Sequence, residues 1–165
     1  MTGLIVSAES WPIRGGFAIS RGAKNTADVV LVELGDGDFA GRGECVPYAH
    51  YGESCDSVIE QIESLRPAVR QGLDREQLQT RLPPGAARNA MDCALWDLQA
   101  KASRRRIWEL LELPPAQPLT TAYTLSLGSP ESMYKAALEN TGRPLLKLKL
   151  GGDGDIERVR AVRKG

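Results

Sequence analysis

From Thr120 to Leu150 the chain reads TTAYTLSLGSPESMYKAALENTGRPLLKLKL, and this stretch decides the fold. Thr120 to Leu127 reads as a strand. Ser129-Pro130-Glu131 then sets a cap, an N1 proline and an early acid in the order that starts a helix, which is expected to end near Asn140 to Gly142. Leu145 to Leu150 is a second strand, and beyond it Asp155 can cap a last helix carrying Ile156, Val159 and Val162. Strand, helix, strand, helix with short connections is the opening of a parallel α/β sheet or barrel.

The second strand carries the sharpest local feature. With a side-chain period of two, Lys147 and Lys149 point to one face and Leu146, Leu148 and Leu150 to the other. Two ammonium groups so placed repel each other, and enclosure would penalise the charged form further, so a lysine here can serve as a base near neutral pH. The same pattern also fits an edge strand whose solvent-facing lysines discourage aggregation. The Gly151-Gly152-Asp153-Gly154-Asp155 run resembles a phosphate loop in placement only: it is not GxGxxG, and two aspartates repel a phosphate. A turn with a helix cap is the better use.

Working back, Leu113-Pro114-Pro115-Ala116-Gln117-Pro118 is the best linker, since prolines cannot continue a helix and hold the chain extended. Before it, Leu4 to Ala8 and Asp28 to Leu34 read as strands. Asp36-Gly37 turns the second of these into Phe39 to Cys45, giving an antiparallel meander. Arg21 falls in a polar, glycine-containing loop between the first two strands. Three helices follow. Val58, Ile62 and Leu65 share a face, with Ser54 or Ser57 as cap and Pro67 near the end. Asp74 caps a short helix carrying Leu78 and Leu82, stopped by Pro83-Pro84-Gly85. A longer helix runs from about Ala86 to Lys101 with Met91, Ala94, Leu95 and Leu98 on its apolar stripe. Strands followed by helices make an α+β domain, expected over residues 1–115, and residues 116–165 are expected to start the parallel α/β sheet or barrel. A complete (β/α)₈ barrel takes roughly 250 residues, whereas about 50 follow the linker, so the expectation is either a truncated barrel or a smaller α/β appendage.

Composition excludes several classes. Lys and Arg total 21, as do Asp and Glu, so no basic excess attracts nucleic acid or an anionic membrane. No apolar run approaches the roughly 20 residues of a membrane span and no signal-type start is present, which points to a cytoplasmic protein. Cys45, Cys55 and Cys93 are odd in number and form no CxxC pair, arguing for buried free thiols rather than disulfides or zinc. His50 is the only histidine and reads as a loop residue, so no histidine-based triad can form within the chain.

These residues together resemble a known family. Trp11-Pro12 through Phe17-Ala18-Ile19-Ser20-Arg21-Gly22, then Gly43-Glu44-Cys45-Val46-Pro47-Tyr48 and Tyr51-Gly52-Glu53-Ser54, resemble the capping domain of enolase-superfamily dipeptide epimerases, the L-Ala-D/L-Glu group. The helix Arg88 to Leu98 is similar to that of the muconate-lactonizing subgroup, Tyr123 to Glu131 resembles its first barrel strand and turn, and Lys147-Leu148-Lys149 matches its KxK motif. The resemblance covers nearly all of the chain but about half of such an enzyme.

It implies an α+β capping domain followed by the first βα units of a TIM barrel. The implied activity is Mg²⁺-dependent epimerisation of Ala-Glu-type dipeptides, in which the metal stabilises the enediolate left by removal of the α-proton. It also implies Lys149 as one acid/base lysine, Lys147 as its neighbour helping to hold the carboxylate, Arg21 as a clamp for the glutamyl side chain, and Thr124 where the first strand meets the substrate. The metal ligands and the second lysine belong, by the same resemblance, to later barrel strands. Asp92, Asp97, Asp153 and Asp155 match none of them, and no metal ligand is assigned. Muconate cycloisomerase and o-succinylbenzoate synthase would share the KxK pattern and the metal. A different alternative is a non-catalytic truncated module whose barrel stub pairs with another chain, and homo-oligomerisation would cover the same open edge.

Overall fold

The computed structural model describes residues 3–165, which fall into two compact units. One holds the described residues up to Trp11 together with Ala27–Ala116; the other joins Pro12–Thr26 to Gln117–Gly165.

In the first unit, parts of β1 (Gly3–Ile19) and β2 (Gly22–Asp36) and the whole of β3 (Phe39–Cys45) form a sheet in the order β1-β2-β3. Strands β2 and β3 are antiparallel, with Asp36 opposite Phe39 and Val30 opposite Cys45, so Asp36-Gly37-Asp38-Phe39 closes the expected hairpin. Alternation along β2 buries Val30, Val32 and Leu34 against the helices. The helices of this unit are α1 (Cys55–Glu63), α2 (Arg66–Arg70), α3 (Arg75–Arg81), α4 (Ala86–Ser103) and the single turn α5 (Ile107–Leu110). Ser54 and Ser57 share the cap of α1 in a reciprocal box, and Asp74 caps α3 through the Gln77 amide at 2.7 Å. Pro67 does not end α1. It sits in the first turn of α2, where a missing N–H costs nothing.

Helix α4 lies directly on β3 because small residues meet glycines. Ala87, Ala90 and Ala94 are buried, and a β-carbon on Gly43 would overlap the Ala90 carbonyl oxygen and stand 2.7 Å from the Ala94 amide nitrogen. The same helix covers the open edge of the sheet. Asp97 Oδ2 accepts the Arg42 amide at 2.7 Å, Lys101 Nζ donates to the Ala40 carbonyl at 2.8 Å, and Asn89 Nδ2 donates to the Glu44 carbonyl at 3.4 Å. Residues 40, 42 and 44 are the alternate positions whose backbone groups point away from β2, so three α4 side chains satisfy an edge that would otherwise invite pairing. Gly85 gives α4 no side-chain cap; Glu53 supplies one from the loop before α1, with Oε1 accepting the Ala86 amide at 2.6 Å and Oε2 the Tyr48 amide at 3.2 Å.

The cysteines separate by burial: Cys45 is buried, Cys55 half-buried and Cys93 exposed, correcting the expectation that all three are interior. Burial pushes the Cys45 thiol up to about 11, outweighing the nearby Val30 carbonyl contact. His50 lies in a single 3₁₀ turn, Ala49–Tyr51, rather than in open loop.

The second unit begins with the distal halves of β1 and β2. Arg21, expected in a loop, stands in the two-residue connection Ser20-Arg21 between strands that run on to Ile19 and restart at Gly22. The chain here lacks the apolar alternation that marks a buried strand, which hid the extension. Gly15 and Gly16 adopt φ of 75° and 70°, a left-handed kink inside β1 that glycine alone accommodates readily. After residues 113–122, which form no helix or strand, β4 (Tyr123–Leu125), α6 (Pro130–Leu138), β5 (Leu146–Leu148) and α7 (Asp155–Lys164) follow. The two strands are parallel and shorter than the sequence suggested. Ser129 caps α6 as expected, whereas Asp155 is the first residue of α7 and Gly154 occupies the cap.

Candidate functional site

The site is built on the parallel pair. Tyr123 stands opposite Leu146, Thr124 opposite Lys147 and Leu125 opposite Leu148. Paired residues of neighbouring strands project to the same side, so Leu125 and Leu148 share one face and Thr124 and Lys147 the other. The leucine face is the covered one: Leu125 is 2% exposed, and Met133 and Ala137 of α6 are buried in the same unit. The polar face carries Thr124, Lys147, Lys149 and Ser126, the last a residue that period-two counting from Thr124 would have found. Pairing runs past the last strand residue, since the Lys149 amide donates to the Leu125 carbonyl at 3.2 Å.

Lys149 is half-buried, and its ammonium lies 5.8 Å from the centroid of the Phe17 ring. Lys147 is exposed. Among the described residues no carboxylate forms an ion pair with either lysine or with Arg21. A backbone bond fixes the hairpin arm here: the Leu127 amide donates to the Ala18 carbonyl at 3.0 Å, three residues from Arg21. The structure thus places Thr124, Lys147 and Lys149 together and puts Arg21 at the exposed tip of the arm in the same unit. Phe17 and Ala18 were invisible as site residues, because their partners lie far along the chain.

The glycine-rich turn after Lys149 is occupied from within. Asp155 accepts the Gly151 and Gly152 amides at 3.0 and 2.7 Å, and Arg158 Nη1 donates to Asp155 Oδ1 at 2.8 Å and to the Asp153 carbonyl at 2.7 Å. Arg158 Nε reaches the Gly128 carbonyl at 2.9 Å, tying the turns after both strands together. The Gly151 and Gly152 amides, with Arg158 behind them, hold the Asp155 carboxyl below its ordinary range. Its oxygens are therefore committed. A divalent magnesium ion requires several oxygen ligands in near-octahedral array. No group of three or more His, Cys, Asp or Glu able to hold a metal occurs among the described residues, so the carboxylates present do not fit that ion.

Residues 1–112 match the family described as mandelate racemase / muconate lactonizing enzyme, N-terminal domain. The chain is 44% identical over 160 residues to an L-Ala-D/L-Glu epimerase of Escherichia coli K12, covering 96% of this chain and 50% of that protein. It superimposes with a TM-score of 0.93 and 52% identity on an enolase family member from Agrobacterium tumefaciens with homology to dipeptide epimerases, bound to sodium and L-Ala-L-Glu; the match covers 98% of this chain and 49% of that one. A dipeptide epimerase from Enterococcus faecalis complexed with Mg and L-Leu-L-Tyr superimposes with a TM-score of 0.86 at 27% identity, covering 99% and 49%. The chain spans about half the length of the relatives it matches. With its three-stranded antiparallel sheet packed on helices, it belongs to the mandelate racemase / muconate lactonizing enzyme family through the N-terminal capping domain of the enolase superfamily.

Proposed function

We propose that this chain supplies the specificity cap and one catalytic lysine of a dipeptide epimerase acting on L-Ala-D/L-Glu-type substrates. In this reading residues 1–115 are the cap and residues 116–165 the first βα units of a TIM barrel. The observation that carries it is the polar face of the parallel pair, where Thr124 and Lys147 are in register, Lys149 follows, and the opposite leucine face is covered. In a (β/α)₈ barrel the helices lie outside, so the lysine face is the interior one. Catalytic residues of such barrels stand at the C-terminal ends of the strands, which is where Lys149 sits.

The α-proton beside a carboxylate is a very weak acid, and its removal concentrates charge on the two carboxylate oxygens in an enediolate. Lys149 takes that proton at Nζ. The Lys147 ammonium helps to hold the carboxylate, Thr124 donates or accepts a hydrogen bond at the edge of the bound substrate, and the Arg21 guanidinium grips the glutamyl carboxylate, for which its planar fork is suited. Epimerisation also needs a proton donor on the opposite face. Mg²⁺ is the cofactor we infer for the reaction, and the carboxylates among the described residues do not fit it. The cytoplasm is the compartment this reading implies, and among the described residues no helix is long and apolar enough to cross a membrane.

The test is solvent deuterium exchange at the substrate α-carbon in the full-length enzyme, followed separately for L-Ala-L-Glu and L-Ala-D-Glu. Lys149→Ala should abolish exchange for at least one isomer, and unchanged exchange for both would overturn the assignment. On the same footing, Arg21→Ala should weaken Ala-Glu relative to Ala-Ala by about ten- to a hundredfold, the worth of a charge-assisted hydrogen-bond pair. Equal losses would make Arg21 structural.

A further inference from the structure

Resting on the reading of Lys149 as a base, we propose that Phe17 is a positioning residue that steadies the Lys149 side chain from the hairpin arm. A lysine ends in a flexible four-carbon stem whose ordering costs rotamer entropy. A group that must meet one α-proton on one face of a substrate cannot wander over that range. Lys149 has no carboxylate partner among the described residues to hold it. Its ammonium instead lies within cation–π range of the Phe17 ring, at 5.8 Å from the centroid. The attraction acts on the ammonium that Lys149 becomes as it takes the proton, and unlike a carboxylate the ring offers no site that competes for that proton.

The backbone that carries the ring is anchored. Ala18, the next residue, accepts the Leu127 amide at 3.0 Å just beyond β4, and Leu127 in turn packs against Gly151, where a β-carbon would come within 2.8 Å of Leu127 Cδ2. The arm is thus pinned to the turns that follow both strands, with Phe17 beside Lys149 and Arg21 a few residues further on. One segment would then carry the substrate clamp and restrain the base.

The experiment compares Phe17→Leu and Phe17→Tyr with the unmodified full-length enzyme and with Lys149→Ala. Phe17→Leu should slow α-deuterium exchange by about three- to thirtyfold for the isomer that Lys149 deprotonates, and by less than about twofold for the other, as the loss of one cation–π contact allows. Phe17→Tyr should restore the rate. Equal slowing of both isomers, or no slowing, while Lys149→Ala remains one-sided, would overturn the role of Phe17 and leave the role of Lys149 standing. A Lys149→Ala variant with no one-sided effect would instead overturn the reading of Lys149, and this role of Phe17 with it. As a readout independent of turnover, the Lys149 ε-methylene protons of this chain should resonate upfield through the ring current and return downfield in Phe17→Leu; unshifted resonances in the unmodified chain would overturn the contact itself.

Discussion

Gly43 shows how much of this fold depends on single atoms. No β-carbon fits between β3 and α4 there, since it would overlap the Ala90 carbonyl, a backbone group that cannot rotate away. Gly43→Ala must therefore push the helix off the sheet over much of its length, and the expected cost is about 3 kcal/mol or more, at the upper end of overpacking penalties. Gly142 is the control. An added β-carbon meets nothing within 4 Å and the backbone is not in the left-handed region, so Gly142→Ala should change stability by less than about 0.5 kcal/mol. Urea unfolding of the two variants reads the difference directly; similar midpoints for both would show that α4 does not rest on β3 as closely as described.

At the scale of elements, the bond between α4 and the edge of β3 makes stability depend on acid. Burial pushes the Asp97 carboxyl up, but the Lys101 ammonium and the Arg42 amide together pull harder, and the net effect lowers it. A carboxyl depressed in the folded state adds stability that is present above its unfolded value near 3.9, and that is lost as pH falls through the lower folded value. Asp97→Asn should therefore be less stable than the parent chain at pH 7, with the gap closing below about pH 4; a gap independent of pH would mean the charge of Asp97 contributes nothing. The elements themselves were largely legible, because caps and periods are local. Ser54, Asp74 and Ser129 announce their helices, and Leu146 to Lys149 announces its two faces. The distal half of the hairpin was not legible, because Trp11 to Thr26 is extended without the apolar alternation that signals a buried strand. Nor was the edge cover: Asn89, Asp97 and Lys101 read as ordinary polar helix residues until β3 is laid beside them. The same reason hid Phe17, whose significance exists only once Lys149 is folded against it.

At the scale of the whole molecule, sequence order and spatial grouping part company. A reader of the chain divides it once, at the prolines from Pro114 to Pro118, yet the segment Pro12–Thr26 clusters with Gln117–Gly165. The connection between is open to solvent: residues 113–122 form no helix or strand, and Leu119 is 86% exposed. Exposed backbone of this kind is where proteases cut first. Brief treatment with chymotrypsin should nick the chain after Leu119 into pieces of residues 1–119 and 120–165. The hairpin arm stays covalently with the larger piece, but its folded partners, including the Leu127 amide bonded to Ala18 and the Lys149 ammonium beside Phe17, are in the smaller one. The nicked protein should therefore elute from a sizing column as one species under native conditions and separate only in denaturant. Native separation of the pieces would show that the arm belongs with the capping sheet alone, and would remove the physical basis for linking Arg21 to the lysine face.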